Sequence, residues 1–209
     1  MLQKDIKQVI ISLISELDFY FNEKGFVRRC NSIIYTRKID GVIQKLEIVF
    51  FSNPSYHPGA LAHIYPHMQI YIPSVNGTAI EFASHIIPSK WLGQFTIRQP
   101  IQIYSSSGDF YLMDVNDYES LKDQLLDFFK MNAMPLFNDL TSEKDYLLLY
   151  ENKDKRIIWD DNQYLYIAAA YLNEHELIKA KEVIENRFGK KGLRNKYKEV
   201  FEYFENIEE

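Results

Sequence analysis

The chain has 209 residues and a net charge of −5 at pH 7, with 46% apolar and 25% charged residues. This composition is typical of a globular protein, and the length fits one domain or one domain with a small second one. The acidic balance argues against general nucleic-acid binding, and the single cysteine, Cys30, excludes an intrachain disulfide framework and indicates a reducing compartment.

The N-terminal segment 1–17 carries charges throughout and has no cleavage site of small residues, so we do not expect a signal peptide. No apolar run reaches the roughly 18 residues that a membrane span needs. The sequence therefore predicts a cytoplasmic protein that does not bind membranes.

The first predicted element is a helix, because apolar residues recur at spacings of three and four in one stripe. Gly25 follows that stripe, at the position of a helix C-cap. Two strands rich in Ile, Val, Tyr and Phe are expected next, at Ser32–Ile39 and Val42–Phe51. Asp40-Gly41 lies between them and predicts a hairpin turn. The stripe of the helix consists of Ile6, Val9, Ile10, Leu13, Leu17 and Phe21.

A loop is expected over Ser52–Tyr65, which contains Pro54, Pro58 and Gly59 and is followed by Pro66. Alternating residues then predict a strand that leads, through an Asn76-Gly77 turn, into a second strand. A third pair of strands is expected on either side of Ser105–Asp109. The four strands are predicted at His67–Val75, Thr78–Ala83, Phe95–Tyr104 and Phe110–Met113.

The remainder of the chain is predicted to be helical. Helix starts are indicated by capping pairs at Asn116 with Glu119, Ser142 with Asp145, and Asp160 with Gln163. We therefore predict an α+β fold with an antiparallel sheet of about five or six strands flanked by helices, followed by a C-terminal helical bundle. The expected domains are an α+β sheet domain over 1–139 and a helical subdomain over 140–209 that packs on it.

The eight glycines are placed as caps or isolated turns, and neither G-x-G-x-x-G nor G-x-x-x-x-G-K-[ST] occurs. We therefore expect no nucleotide and no other cofactor. His57, His63 and His67 flank the long loop and are candidate metal ligands, although neither H-E-x-x-H nor C-x-x-C is present. A role in the loop and strand is the alternative.

Tyr56 and Tyr65 lie in the same stretch and are candidate binding residues together with the three histidines. Residues 52–85 contain no Lys or Arg, so we do not expect nucleic acid on this surface. Asp160 and Asp161 are further binding candidates, with helix capping as the alternative.

Charge is distributed unevenly. Residues 24–45 contain Lys24, Arg28, Arg29, Arg37, Lys38 and Lys45 against Asp40 alone, whereas residues 105–161 contain 13 acidic and 6 basic side chains. These segments are either solvated faces or charged docking surfaces.

A helix followed by an aromatic–x–x–x–G-F-x-R element, an Asn and an aromatic-plus-Arg strand resembles a group of bacterial domains of unknown function. The resemblance covers about residues 15–51. It implies a binding role, because some members of the group look like immunity proteins or adaptors, and it supplies no catalytic residues. The matching residues here are Phe21, Gly25, Phe26, Arg28, Asn31, Tyr35 and Arg37.

The leading hypothesis is a non-enzymatic bacterial binding protein with a protein partner, which meets either the acidic region 105–161 or the Tyr/His loop 52–71. A metal-assisted hydrolase using His57, His63 and His67 is a second hypothesis. A peptide-binding module in the C-terminal helices is a third. The sequence leaves the oligomeric state open.

Overall fold

The computed structural model describes residues 3–101 and 109–207. Its helices are α1 Gln3–Glu16, α2 Asp18–Glu23, α3 Pro73–Ala83, α4 Ser89–Leu92, α5 Tyr118–Phe128, α6 Met134–Asp139, α7 Glu143–Glu151, α8 Asp161–Asn173, α9 Leu177–Phe188, α10 Lys191–Lys196 and α11 Lys198–Asn206. Its strands are β1 Val27–Arg28, β2 Ile34–Ile39, β3 Val42–Ser52, β4 Ala62–Tyr71, β5 Ile97–Pro100 and β6 Phe110–Leu112. A 3₁₀ turn at Val115–Asp117 precedes α5, and a π-helical turn at Phe129–Ala133 joins α5 to α6.

The strands form one antiparallel sheet in the order β1-β2-β3-β4-β5, with β6 also paired to β4. The predicted α+β class and strand number are therefore confirmed. Asp40 and Gly41 have φ angles of 44° and 85°, which is the left-handed geometry that the predicted β2–β3 hairpin turn requires. Pro66 lies within β4, beyond the β6 register at residues 62–64, so its missing N–H interrupts neither the β4–β6 pairing nor the burial of the strand.

The described chain divides into two compact units, one of 1–39, 43–69 and 98–139 and the other of 40–42, 70–97 and 140–209. The sheet belongs to the first unit apart from the strand-end residues 42, 70–71 and 97. Whether 1–139 and 140–209 are separate domains stays a prediction. Among the described residues, no helix is both long enough and apolar enough to cross a membrane.

In the first unit, helices cover one face of the sheet. The phenol of Tyr35 on β2 donates to the Ile14 carbonyl of α1 at 2.6 Å. The buried Gln44 amide on β3 donates to the Phe137 carbonyl of α6 at 2.6 Å. Phe110 on β6 packs edge-on against Phe128 of α5, with ring centroids 5.0 Å apart. Because strand neighbours point to opposite faces, the residues adjacent in sequence to Tyr35, Gln44 and Phe110 point to the other face.

That other face of the sheet is here called the open face. Burial alternates along β3 and β4, so that every second side chain is buried and the ones between them are mostly only half-buried. The open-face residues are Ile34, Thr36 and Lys38 of β2, Ile43, Lys45, Glu47, Val49 and Phe51 of β3, His63, Tyr65, His67 and Gln69 of β4, and Tyr111 of β6. Helices thus cover one face of the sheet, and the side chains of the other face are mostly half-buried.

The second unit is helical, with α8 packed between α3 and α9. Three consecutive buried residues of α8, Ala168-Ala169-Ala170, have short side chains, which allow neighbouring helices to approach closely. The predicted capping box of Ser142 and Asp145 is present at the start of α7, and Asp160 caps α8 by accepting from the Gln163 N–H at 3.0 Å.

Two predictions for 52–83 are wrong. The loop ends at Leu61 instead of Tyr65, so His63 and Tyr65 lie on β4. Asn76-Gly77 is not a hairpin turn, because Pro73 begins α3 and the buried residues Val75, Ala79 and Phe82 follow a helical spacing. The predicted cap at Asn116 is also wrong, since Asp114 accepts from the Asn116 N–H at 2.8 Å. Residues 102–108, which include most of the predicted turn at Ser105–Asp109 and the end of the predicted strand Phe95–Tyr104, lie outside the described residues.

Candidate functional site

Seven rings come together where β3, β4 and β6 meet the loop between β3 and β4, and they are called the ring patch. Every ring in the patch lies within 6.4 Å, centroid to centroid, of at least one other ring. Such a concentration of aromatic area on an open sheet face is the composition that binding surfaces favour. Its members are Phe51, Tyr56, His57, His63, Tyr65, His67 and Tyr111.

Strand geometry explains most of the patch. His63, Tyr65 and His67 alternate along β4 and therefore share one face. The antiparallel register places Tyr111 directly opposite His63. Cross-strand partners of this kind have β-carbons about 5 Å apart, which brings their rings into contact.

The loop brings the remaining side chains over the strands. The Asn53 N–H donates to the Leu61 carbonyl at 2.9 Å and closes the loop. Within it, the N–H of His57 donates to the Pro54 carbonyl at 3.1 Å, and the N–H of Ala60 donates to the His57 carbonyl at 3.2 Å. These two successive turns, with Gly59 at a φ of 93°, fix the position of His57 above the sheet.

Tyr111 is the middle ring of a three-ring stack. The His57 ring lies 4.0 Å from it at an interplanar angle of 15°, and the His63 ring lies 4.5 Å from it at 23°. Two rings cannot stack on the same face of a phenol, so the two imidazoles occupy opposite faces. Tyr111 is therefore clamped between them.

His63 is the centre of the patch and is only 7% exposed. Its Nδ1 is 2.7 Å from the hydroxyl of Tyr56, and the donor in this hydrogen bond depends on the imidazole tautomer. Its Nε2 has no hydrogen-bond partner among the described residues, and the same holds for Nδ1 of His67. A buried polar atom without a hydrogen-bond partner lowers the stability of the folded state by about 1–3 kcal/mol. These two nitrogens therefore do not stabilise the fold.

Burial lowers the pKa of His63, with His57 lowering it further and Asp109 opposing the shift. Burial also lowers the pKa of His67, where Arg98 adds to the effect and Glu47 opposes it. Both imidazoles therefore lose their proton more readily than a solvated histidine does, and in the neutral form each has one N–H donor and one acceptor nitrogen.

The structure brings together five of the predicted site residues, namely Tyr56, His57, His63, Tyr65 and His67. Sequence reasoning missed Phe51 and Tyr111. Phe51 could have been found by extending the alternation of β3 by one more residue. Tyr111 could not, because its place depends on the pairing of β4 with β6.

The geometry does not favour a metal centre at this patch. The phenol of Tyr111 separates His57 from His63, whereas ligands of one ion must converge on a point about 2 Å from each donor atom. Across residues 3–101 and 109–207, no group of three or more His, Cys, Asp or Glu side chains is placed to hold a metal ion.

Asp160 and Asp161, the other two predicted binding residues, belong to the helical unit and have structural partners there. Asp160 caps α8. Asp161 accepts from Arg187 at 2.8 Å and from the Tyr197 hydroxyl at 3.0 Å. Burial raises the pKa of Asp161, but these two donors outweigh it and hold that pKa below its ordinary value. Capping and ion pairing account for both carboxylates.

A groove of about 360 Å³ lies between α9, α10 and α11, on the surface that a C-terminal peptide-binding module would use. Its apolar floor includes Phe201, and the Arg194 guanidinium lies over this ring at 3.9 Å. Arg194 also pairs with Glu185 and Glu205, at 2.6 and 3.2 Å. Three charged side chains of this groove, Arg194, Glu185 and Glu205, are thus paired with one another, whereas Lys181 and Glu182 line it without an ion-pair partner among the described residues.

No family model matches this chain, and no curated protein or solved structure matches it either. The resemblance of residues 15–51 to a bacterial domain group stays a prediction. A function must therefore be argued from the chemistry of the site itself.

Proposed function

We propose that this chain is a non-enzymatic bacterial binding protein, of the immunity or adaptor kind, that engages a protein partner through the ring patch. The observation that carries the proposal is the exposure of aromatic side chains at the patch. Phe51 is 49% exposed and Tyr56 is 61% exposed, although both belong to a packed cluster of rings. Rigid aromatic side chains at the centre of a partly exposed surface are the residues that dominate protein–protein binding energies.

The ordered scaffold beneath these rings supports the same function. Tyr111 is clamped by two imidazoles, and Tyr56 is tied to His63, so little side-chain freedom is left to lose when a partner binds. Such preorganisation strengthens binding, since immobilising a side chain at an interface costs about 0.5–1.5 kcal/mol.

Site-specific photocrosslinking in the native cells tests the proposal. p-Benzoylphenylalanine is placed at position 51 or 56, and the matched control carries it at Phe19, a 75% exposed phenylalanine of α2. We expect one discrete protein adduct from positions 51 and 56 and none from position 19. With that protein purified, Phe51→Ala and Tyr56→Ala should each raise Kd by about tenfold, which is a typical effect of a central aromatic residue.

Adducts from an additional probe at Ile178, a 65% exposed residue of α9, without adducts from 51 or 56 would favour the helical C-terminal module instead. Stoichiometric zinc in the purified protein, lost in His63→Ala, would favour the metal-assisted hydrolase. Either result overturns the proposal.

A further inference from the structure

The basic segment 24–45 is divided by the structure into structural cations and unpaired ones. Arg28 donates to both carboxylate oxygens of Asp18, at 2.8 and 2.6 Å, and to the Ser32 carbonyl at 2.9 Å. Arg37 donates to Gln44 at 2.7 Å and to the Phe137 carbonyl at 3.1 Å. These two guanidinium groups join α2, β2, β3 and α6, so they are part of the fold.

Three other cations of the segment, Arg29, Lys38 and Lys45, line a single cleft. The cleft has a volume of about 620 Å³ and lies along β1, β2 and β3. Lys38 and Lys45 point to the open face, because their neighbours Arg37 and Gln44 contact α6 on the covered face. Within the described residues, none of these three side chains has an ion-pair partner.

The remaining walls of the cleft suit an extended peptide. Val27 and Ile34 supply apolar surface, and Thr36 and Ser32 supply hydroxyl groups. Val27 lies directly opposite Thr36 in the β1–β2 register, so the two share a face. Clefts of 300–1,000 Å³ with a few polar groups are of the size that holds a ligand or a short segment.

The neighbouring acidic residue does not neutralise these cations. Glu47 lies on the open face two residues after Lys45 and accepts from Gln69 at 2.7 Å. The Arg98 guanidinium lies 3.4 Å from the same carboxylate. The negative charge of Glu47 is thus matched within the sheet, and the charged side chains that line the cleft among the described residues are all basic, in a chain whose net charge is −5.

We propose that this cleft binds an extended acidic segment of the protein partner, as a second contact on the same open face as the ring patch. The inference rests on the proposed function, because it names the chemistry of the partner. Charge complementarity carries it, since three unpaired cations in one cleft attract closely spaced carboxylates and raise the association rate.

Single-stranded nucleic acid is the competing polyanion, and the structure does not favour it. Among the described residues, no aromatic side chain lines the cleft, so a base has nothing there to stack on. In the ring patch, both faces of Tyr111 are already occupied by imidazoles. The cations of the cleft could contact the phosphates of a nucleic acid, but its bases would have no aromatic ring to stack on.

Fluorescence anisotropy with three labelled probes tests the proposal on the full chain. The probes are hexaglutamate, hexaglutamine and a thymidine decanucleotide, each at low and physiological salt. We expect saturable binding of hexaglutamate alone, weaker at the higher salt because exposed charges are screened. The double variant Lys38→Gln/Lys45→Gln should raise its Kd about fivefold or more, whereas Lys7→Gln/Lys155→Gln, which removes the same charge elsewhere, should leave it within about twofold.

Equal hexaglutamate binding by the two double variants, or none by the wild type, overturns the inference. Tighter binding of the decanucleotide that is lost in Lys38→Gln/Lys45→Gln also overturns it, in favour of nucleic acid. Tyr56→Ala separates this failure from failure of the proposed function. If Tyr56→Ala weakens binding of the crosslinked partner and Lys38→Gln/Lys45→Gln does not, the proposal that the ring patch binds the partner is supported and the proposal of an acidic segment in the cleft is wrong. If only Lys38→Gln/Lys45→Gln weakens binding of that partner, the ring patch is not the binding site and the proposal of the cleft is supported.

Discussion

The core of the helical unit and the open face of the sheet unit differ in how their buried polar atoms are paired. In the helical unit, Asn76 donates to the carbonyls of Leu92 and Phe95 at 2.7 and 3.2 Å, and Thr96 donates to Asn76 in turn. Gln163 donates to the Thr96 carbonyl at 2.8 Å and accepts from the Tyr146 hydroxyl at 2.7 Å. On the open face of the sheet unit, by contrast, Nε2 of His63 and Nδ1 of His67 have no partner among the described residues.

This difference distinguishes residues that stabilise the fold from residues that are available for binding. A network in which each buried polar group has its partners specifies one packing of the helices, and its loss costs stability. Exposed cations that have no ion-pair partner within the described residues add nothing to such a network and can instead bind an anionic group of another molecule. We therefore expect changes in the helical network to lower the free energy of unfolding more than changes on the open face do.

The largest effect is expected for Asn76→Ala, which removes two hydrogen bonds to buried carbonyls and the acceptor of Thr96. The free energy of unfolding should fall by about 2–3 kcal/mol. Urea denaturation followed by circular dichroism measures it. Asn195→Ala, an exposed change in α10, is the control and should stay within about 0.5 kcal/mol. Equal midpoints for the two variants would show that the network is not what holds α3 in place.

Tyr56→Phe should have a smaller effect, because it removes only the hydroxyl that meets Nδ1 of His63. We expect a loss of about 0.5–1 kcal/mol in the free energy of unfolding. The matched control is Tyr65→Phe, whose hydroxyl has no hydrogen-bond partner among the described residues. Imidazole ¹⁵N chemical shifts should also change for His63 in Tyr56→Phe alone. Unchanged shifts there would contradict the hydrogen bond.

Acidification should lower the free energy of unfolding, because protonation of the imidazoles of His63 and His67 is disfavoured in the folded state. Since the pKa values of His63 and His67 are lowered in the folded state, the unfolded state binds protons first as pH falls. The stabilisation is complete above pH of about 6.5, the ordinary value, and is lost as pH falls from there through the folded pKa values. His63→Gln/His67→Gln should make the free energy of unfolding depend less on pH in this range, whereas His175→Asn, in an exposed turn, should leave that dependence unchanged. Urea unfolding at a series of pH values measures it. Greater stability on acidification from pH 7 to 5 would contradict the lowered pKa values.

The smallest effect on stability is expected for Lys38→Gln/Lys45→Gln. Neither lysine has an ion-pair partner within the described residues, so the free energy of unfolding should change by less than about 0.5 kcal/mol. Thermal or urea unfolding checks this. A larger loss would mean that the cleft cations support the sheet, and the distinction between its folding and binding residues would then be wrong.

The predicted site was partly accessible from sequence because its residues are close along the chain. Tyr56, His57, His63, Tyr65 and His67 were grouped by proximity, and the alternation of β4 then puts three of them on one face. The prediction of a loop through Tyr65 is wrong because Pro66 does not end a strand here. In the structure, Pro66 lies in β4 beyond the residues that pair with β6, where its missing N–H interrupts none of those hydrogen bonds.

Asn76-Gly77 shows how tertiary packing overrides a local signal. The dipeptide favours a hairpin when alternating strands flank it. Here Val75, Ala79 and Phe82 are buried at helical spacing, and α3 packs against α8. The buried side chain of Asn76 donates to the carbonyls of Leu92 and Phe95, which follow α3 in the chain. Asn76 therefore anchors a helix and does not form a turn.

The sequence alone determined those features whose interactions close within a few residues. These include the apolar stripe of α1, the Asp40-Gly41 turn, the capping box at Ser142 and the Asp160 cap, because local hydrogen bonds and periodic burial decide them. Only the tertiary structure decided that Tyr111 is clamped between His57 and His63, and that Arg29, Lys38 and Lys45 share a cleft in which none of them pairs with an acidic side chain from the described part of the chain. Strand pairing makes those choices, since residues far apart in the chain become neighbours only when the register of the sheet is set.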